Sequence, residues 1–163
     1  MATFNNKTFK KNDEYYTPKS AWEDIKHIIP KDKIIWEGFF GDSKSGTFLS
    51  ELGFKTIHKK VDFFKHNLGQ VVVTNPAFSL IPQTLKRLVE LQKPFILLMP
   101  SSKINTQYFR KTFLNQKDKI KIIIPKKRIH FIKQDGSKSS CNFDCFYYCW
   151  KIEGLKNEIT WLD

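Results

Sequence analysis

Gln70-Val71-Val72-Val73-Thr74-Asn75-Pro76-Ala77-Phe78 is the stretch that decides the fold of this chain. Three consecutive valines between polar residues predict a strand that is apolar on both faces. Only a sheet covered on both sides buries such a strand, and sheets of that kind are mostly parallel. Parallel strands need long crossovers, usually helical. Asn75 to Phe78 then open a loop at the carboxyl end of the strand, where α/β sheets hold their ligands.

Working outward, strand and helix patterns alternate. Upstream, Thr17-Pro18 reads as a helix cap followed by proline in the first turn. Ala21, Trp22, Ile25, Ile28 and Ile29 then recur at helical spacing until Pro30. Residues 33–36 predict a strand and 38–46 a glycine-bearing loop. A short helix over 47–52 stops at Gly53, and 55–57 predict another strand. Downstream, 80–92 predict an amphipathic helix with Leu85, Leu88, Val89 and Leu91 inward. Strand 95–99, helix 106–114 and strand 120–124 follow. Residues 128–132 and 143–152 flank Gln134-Asp135-Gly136-Ser137 and predict an antiparallel hairpin. The expectation is an α/β fold: a Rossmann-like doubly wound sheet, mostly parallel, with a C-terminal antiparallel hairpin, in one domain over residues 1–163.

Charge narrows the choice of partner. The chain has 163 residues, 28 of them Lys or Arg against 16 Asp or Glu, a formal charge of +12. Residues 101–140 hold eleven basic side chains against Asp118 and Asp135. Tyr108, Phe109, Phe113 and Phe131 are interleaved with them. Cations neutralise phosphates and aromatic faces stack on bases, so a nucleic acid is the expected partner. Lys103, Lys126, Lys127, Arg128, Lys133 and Lys138 are the candidate contacts. A solvated, lysine-rich face is the plain alternative.

Other chemistries fare worse. Fifteen Phe among 40% hydrophobic residues are too many for a disordered chain. No apolar run approaches the roughly 20 residues of a membrane helix. The N-terminal stretch lacks a signal-peptide core, and three cysteines are an odd number, so a membrane-free, cytoplasmic protein with reduced thiols is expected. Gly41 to Gly46 has the spacing of a phosphate loop, but Thr47 and Phe48 stand where it needs Lys and Ser or Thr. Cys141, Cys145 and Cys149 are spaced by four, without a zinc-knuckle pair, so no metal is expected.

The loop after the valine strand resembles a family. Asn75-Pro76-Ala77-Phe78 is similar to the Asn-Pro-Pro-Phe/Tyr tetrapeptide of S-adenosylmethionine-dependent adenine-N6 DNA methyltransferases of the small phage and viral type. Asp13-Glu14-Tyr15-Tyr16-Thr17-Pro18 resembles their N-terminal Tyr-Thr-Pro element. Trp36 to Asp42 stands where their cofactor loop belongs, and Asp62-Phe63 where an Asp-Phe pair clamps the cofactor adenine. Residues 128–131 and 142–146 resemble their C-terminal hairpin. The resemblance spans residues 13 to about 152 in one order.

The resemblance implies a methyltransferase sheet with S-adenosylmethionine as cofactor and adenine N6 in DNA, with RNA as the alternative, as the methyl acceptor. It implies catalytic roles for Asn75, Pro76 and Phe78. Two acceptors, the Asn75 side-chain oxygen and the Pro76 carbonyl, would draw the amine toward a tetrahedral, nucleophilic nitrogen, while Phe78 stacks on the base. A base in a duplex would have to flip out to arrive there. Tyr16, Thr17, Pro18, Glu37, Phe39, Gly41, Asp62, Phe63 and Asn75 would bind the cofactor. Two departures stand out: Ala77 replaces the second proline, and His58-Lys59-Lys60 replaces the carboxylate that many relatives place after the second strand. The rival expectations are an RNA or protein-glutamine substrate, and a catalytically silent nucleic-acid-binding subunit. So short a chain leaves target recognition to its loops, to a partner subunit or to a homodimer. A prokaryotic or virus-infected cytoplasm is the expected setting, with the nucleus left open.

Overall fold

The computed structural model describes residues 15–133, 135–137 and 143–163. Its strands are β1 (Ile35–Trp36), β2 (Thr56–Ile57), β3 (Val71–Thr74), β4 (Phe95–Pro100), β5 (Lys121–Ile124), β6 (Cys145–Trp150) and β7 (Ile159–Trp161). They form one sheet in the order β2-β1-β3-β4-β6-β5-β7. Only β6 runs against its neighbours, β4 and β5; the other pairings are parallel. The α-helices among the described residues are α1 (Lys19–Glu23), α2 (Lys44–Glu51), α3 (Ile81–Glu90) and α4 (Gln107–Phe113).

The valine strand has the double burial that its sequence requires. All four residues of β3 are buried. Val71 and Val73 join Trp22, Ile25 and Leu49 in one core cluster. Val72 joins Leu85, Leu88 and Phe109 in the other. The helices α1 and α2 therefore cover one face of the sheet, and α3 and α4 the other. The chain crosses from β1 to β2 over the first face and from β3 to β4 over the second. Strand order consequently reverses between β1 and β3, as in a Rossmann-like, doubly wound sheet. Crevices open at such reversals, outside the carboxyl ends of the strands. No helix among the described residues is long and apolar enough to cross a membrane.

Three local expectations are corrected. Thr17 does not cap α1: Pro18 takes the cap position with no side-chain bond, and Thr17 is buried. The helix α2 begins at Lys44, three residues early, with Gly46 inside it. Gly46 is there for space, since a Cβ on it would meet the His58 side chain at 2.3 Å. The third correction concerns the hairpin. Its second arm forms β6, but its first arm is β5, not 128–132. Residues 145–150 are buried almost throughout, so β6 is a central strand that needs neighbours on both sides. Residues 128–132 instead run as a segment pinned to the core by Ile129 and Phe131, pairing at Ile132 with Tyr16. The terminal strand β7 carries too short an apolar pattern to be foreseen.

Candidate functional site

The crevice between β1 and β3 holds a cleft of about 140 Å³. Tyr15, Tyr16 and Thr17 line it from the N-terminal segment, and Glu37, Phe39, Phe40, Gly41 and Asp42 from the loop after β1. Ser45 enters from α2, and Asn75, Pro76 and Ala77 from the loop after β3. The N-terminal segment is held there by a pair of backbone bonds between Tyr16 and Ile132, each 2.9 Å.

Asn75 is the chemically informative side chain. Its Nδ2 donates to the Tyr15 carbonyl at 2.9 Å. That carbonyl can only accept, so the bond fixes which end of the amide faces it. The opposite end, Oδ1, is buried with no partner among the described residues. An orphaned buried acceptor costs roughly 1–3 kcal/mol, a cost that a donor from a ligand would remove. Next to it stands a group of rings. Tyr15 stacks on Phe78 with centroids 5.6 Å apart and planes 24° from parallel. Phe143 meets Tyr15 and Phe78 edge-on, and Phe131 meets Tyr15 likewise.

Glu37 organises the floor. It is 1% exposed at the end of β1. Ser45 Oγ donates to its Oε2 at 2.5 Å, Thr74 Oγ1 donates to its Oε1, and the Phe39 N–H donates to Oε1 at 3.1 Å. Trp22 Nε1 donates to Ser45 Oγ at 2.9 Å, so the chain of bonds runs back into the core. Burial pushes the Glu37 carboxyl up to about 7, while its three donors pull it down. Both of its oxygens are bonded from within, so Glu37 shapes the loop after β1 and forms the floor of the cleft. Asp42 is better placed to meet a ligand: it is half-buried in the lining and accepts from the Lys44 N–H at 3.1 Å.

The expected residues divide accordingly. Tyr16, Thr17, Glu37, Phe39, Gly41, Asn75 and Pro76 come together in the cleft. Phe78 adjoins it through Tyr15. Pro18 heads α1 and is not part of the lining. Asp62 and Phe63 are not in the lining itself, though Phe63 adjoins it through Phe39. The Asp62 carboxylate accepts from the Phe64 N–H at 2.9 Å. Phe63 is buried in a stack with Trp36 and Phe39, over Gly38, where a Cβ would come within 2.5 Å of its ring.

The basic segment is split. Lys103 follows β4, and Lys126, Lys127 and Arg128 follow β5, all at the carboxyl edge that holds the cleft. Arg128 Nε bonds Asp144 Oδ1 at 2.8 Å. Lys133 follows Ile132, the residue bridged to Tyr16. Lys117, Lys119 and Lys121 lie instead at the opposite end of β5. Lys138, Cys141 and Asn142, with residues 13 and 14, lie outside the described residues. Sequence reasoning gave no role to Ser45, Thr74 or Asp42, or to the ring of Tyr15. A hydroxyl eight residues after Glu37 and another just before Asn75 carry no recognisable spacing.

Three comparisons bear on the fold. No family model matches the sequence, and no curated protein matches it. Among solved structures, the chain is similar to a Listeria monocytogenes protein whose assigned description is a class I S-adenosylmethionine-dependent methyltransferase, with a TM-score of 0.52 at 14% identity. The match covers 90% of this chain and 64% of that one, so the chain spans less than two thirds of its neighbour's length. At that identity the likeness establishes a shared fold.

Proposed function

We propose that this chain is an S-adenosylmethionine-dependent methyltransferase that acts on the exocyclic N6 amine of adenine in nucleic acid, DNA foremost. The observation that carries the reading is Asn75 Oδ1, a buried acceptor with no partner among the described residues, at the strand-order reversal and fixed in orientation by the Tyr15 carbonyl. An amine hydrogen is the donor such an atom lacks. The fold neighbour's description supports the reaction class.

The lining suits the cofactor. S-adenosylmethionine would supply an electrophilic methyl group on its sulfonium. Tyr16, Thr17, Phe39 and Gly41 would hold it against the loop after β1, and the Asp42 carboxylate would accept from its ammonium group. The cleft is smaller than the roughly 300 Å³ of an ordinary ligand pocket, so a nucleoside-sized ligand would extend out along the rim. On the acceptor side, Asn75 Oδ1 and the Pro76 carbonyl would take the two amine hydrogens. Their bonds strengthen as positive charge grows on nitrogen, which favours the transition state over the bound substrate.

The test is incubation with methyl-labelled S-adenosylmethionine and separate DNA, RNA and protein pools, followed by nucleoside and amino-acid analysis. Label on N6-methyldeoxyadenosine is expected. Label in no pool, with no cofactor heat in calorimetry, would overturn the enzyme reading. The rival is a silent, nucleic-acid-binding relative. It is favoured by His58 at the end of β2, where the resembled family places a carboxylate and where the imidazole here packs onto Gly46.

A further inference from the structure

The pairing register carries the reading of the site further, on the premise that the partner is a nucleic acid. Thr74 pairs with Leu97, Leu97 with Tyr148, Tyr148 with Ile122, and Ile122 with Ile159. Ile159 is therefore level with Thr74 across the sheet. Trp161, two residues on, is level with Pro76. Both strands run in the same direction, so Trp161 stands on the rim that carries Asn75 and Pro76. Four strand spacings of ~4.8 Å separate them, roughly 19 Å. The usual right-handed twist bends that rim into a curved track.

Trp161 is 72% exposed, whereas Trp22, Trp36 and Trp150 are at most 1% exposed. It borders a cleft of about 580 Å³ whose lining includes Lys126, Lys127 and His27, with Asp24 and Asp163 as the acidic members. Lys103 and Arg128 follow β4 and β5 on the same rim, between Trp161 and Asn75. An exposed indole beside two lysines fits one ligand chemistry: an unpaired base stacked on the ring, with its phosphates on the lysines.

We propose that Trp161 is a base-stacking platform for single-stranded nucleic acid, at the far end of a basic track that begins at Asn75. At 3.4 Å per stacked nucleotide, the track spans about six nucleotides. Lys126 and Lys127 hold the phosphates, and Trp161 stacks on a base that flanks the target.

Fluorescence titration with a 20-nucleotide oligo(dT) tests this. The probe contains no adenine, so it reports the track independently of the Asn75 loop. Trp161 is the exposed one of four tryptophans, so the acrylamide-quenchable emission reads this residue. Oligo(dT) is expected to quench that emission and protect it from acrylamide. Trp161→Ala should weaken binding about tenfold, as loss of one stacked base does, and Trp161→Phe by much less. Lys126→Gln with Lys127→Gln should weaken binding and reduce its salt dependence. Three results would overturn the platform: no binding of oligo(dT), binding that leaves the emission and the Trp161→Ala affinity unchanged, or a dimer whose Trp161 is acrylamide-protected without nucleic acid. Methyl transfer with an intact track, or its absence, is read separately by the label assay.

Discussion

The rings of Tyr15 and Phe78 stack 5.6 Å apart, so Tyr15 covers the face of Phe78 on which the proposed substrate base would lie. A flat heterocycle between two rings needs about 7 Å, twice the ~3.5 Å contact distance of carbon atoms. On the proposed function, Tyr15 stands where the base would go. Tyr15→Ala removes the ring and keeps the main-chain carbonyl that orients Asn75. We expect it to cost about 1–3 kcal/mol of stability through lost ring contacts. We also expect it to lower KM for an adenine-containing oligonucleotide. Urea unfolding and steady-state kinetics read the two effects. A raised KM at unchanged kcat would mean that the ring binds the base instead of holding its place.

Asn75 Oδ1 is the acceptor on which the proposed chemistry rests. Asn75→Ala removes it along with the bond to Tyr15, and touches no basic residue of the rim. Transfer should fall about 10²- to 10³-fold, the usual cost of one preorganised transition-state partner. Affinity for DNA should stay within twofold. Stability should change little, because the orphaned acceptor disappears together with its amide. Equal kcat values in wild type and variant would remove this loop from the active site.

The fold was legible where a single physical demand dominated. Val71 to Val73 required cover on both faces, and that demand alone implies parallel strands and crossover helices. The crevice followed, because strand-order reversals place the loops after β1 and β3 side by side. Residues 128–132 misled because alternating burial of Ile129 and Phe131 looks like a strand, whether or not a partner strand is there. The sequence of β6 shows a buried strand but not which strands flank it. Residues of the cleft lining were legible where a motif named them, as with Asn75 and Pro76. Ser45 and Thr74 were not, since a hydroxyl aimed at a buried carboxylate leaves no trace in spacing. The Asp62 carboxylate caps a turn and Phe63 joins an aromatic stack beside the cleft, contacts that spacing alone does not reveal.

Glu37 sets a pH dependence of stability. Burial raises its carboxyl from the ordinary value of 4.5 to about 7. Between those values the folded state binds more protons than the unfolded state, so stability declines as pH rises. The contribution is full below pH 4.5, is lost progressively up to about 7, and is flat above. A shift of that size corresponds to roughly 3 kcal/mol. Glu37→Gln abolishes the titration. The stability difference between variant and wild type should therefore move in favour of the variant from pH 4.5 to 7. Urea midpoints across that range check it. A difference independent of pH would mean that the carboxyl titrates alike in both states.

Gly46 and His58 fit tightly against each other. A Cβ at position 46 would lie 2.3 Å from both Cβ and Cγ of His58. Alanine is the better helix former by about 1 kcal/mol, and Gly46 lies within α2, so propensity alone favours Gly46→Ala. The overlap opposes it, and because it involves the His58 Cβ, rotation of the imidazole cannot relieve it. The backbones of α2 and β2 would have to part, at a cost of about 1–3 kcal/mol. Net destabilisation is expected in urea unfolding. His58→Ala should not rescue it, since alanine keeps the offending Cβ, whereas His58→Gly should recover a large part. Full rescue by His58→Ala would show that the imidazole ring, not the backbone spacing, sets the distance between the two elements.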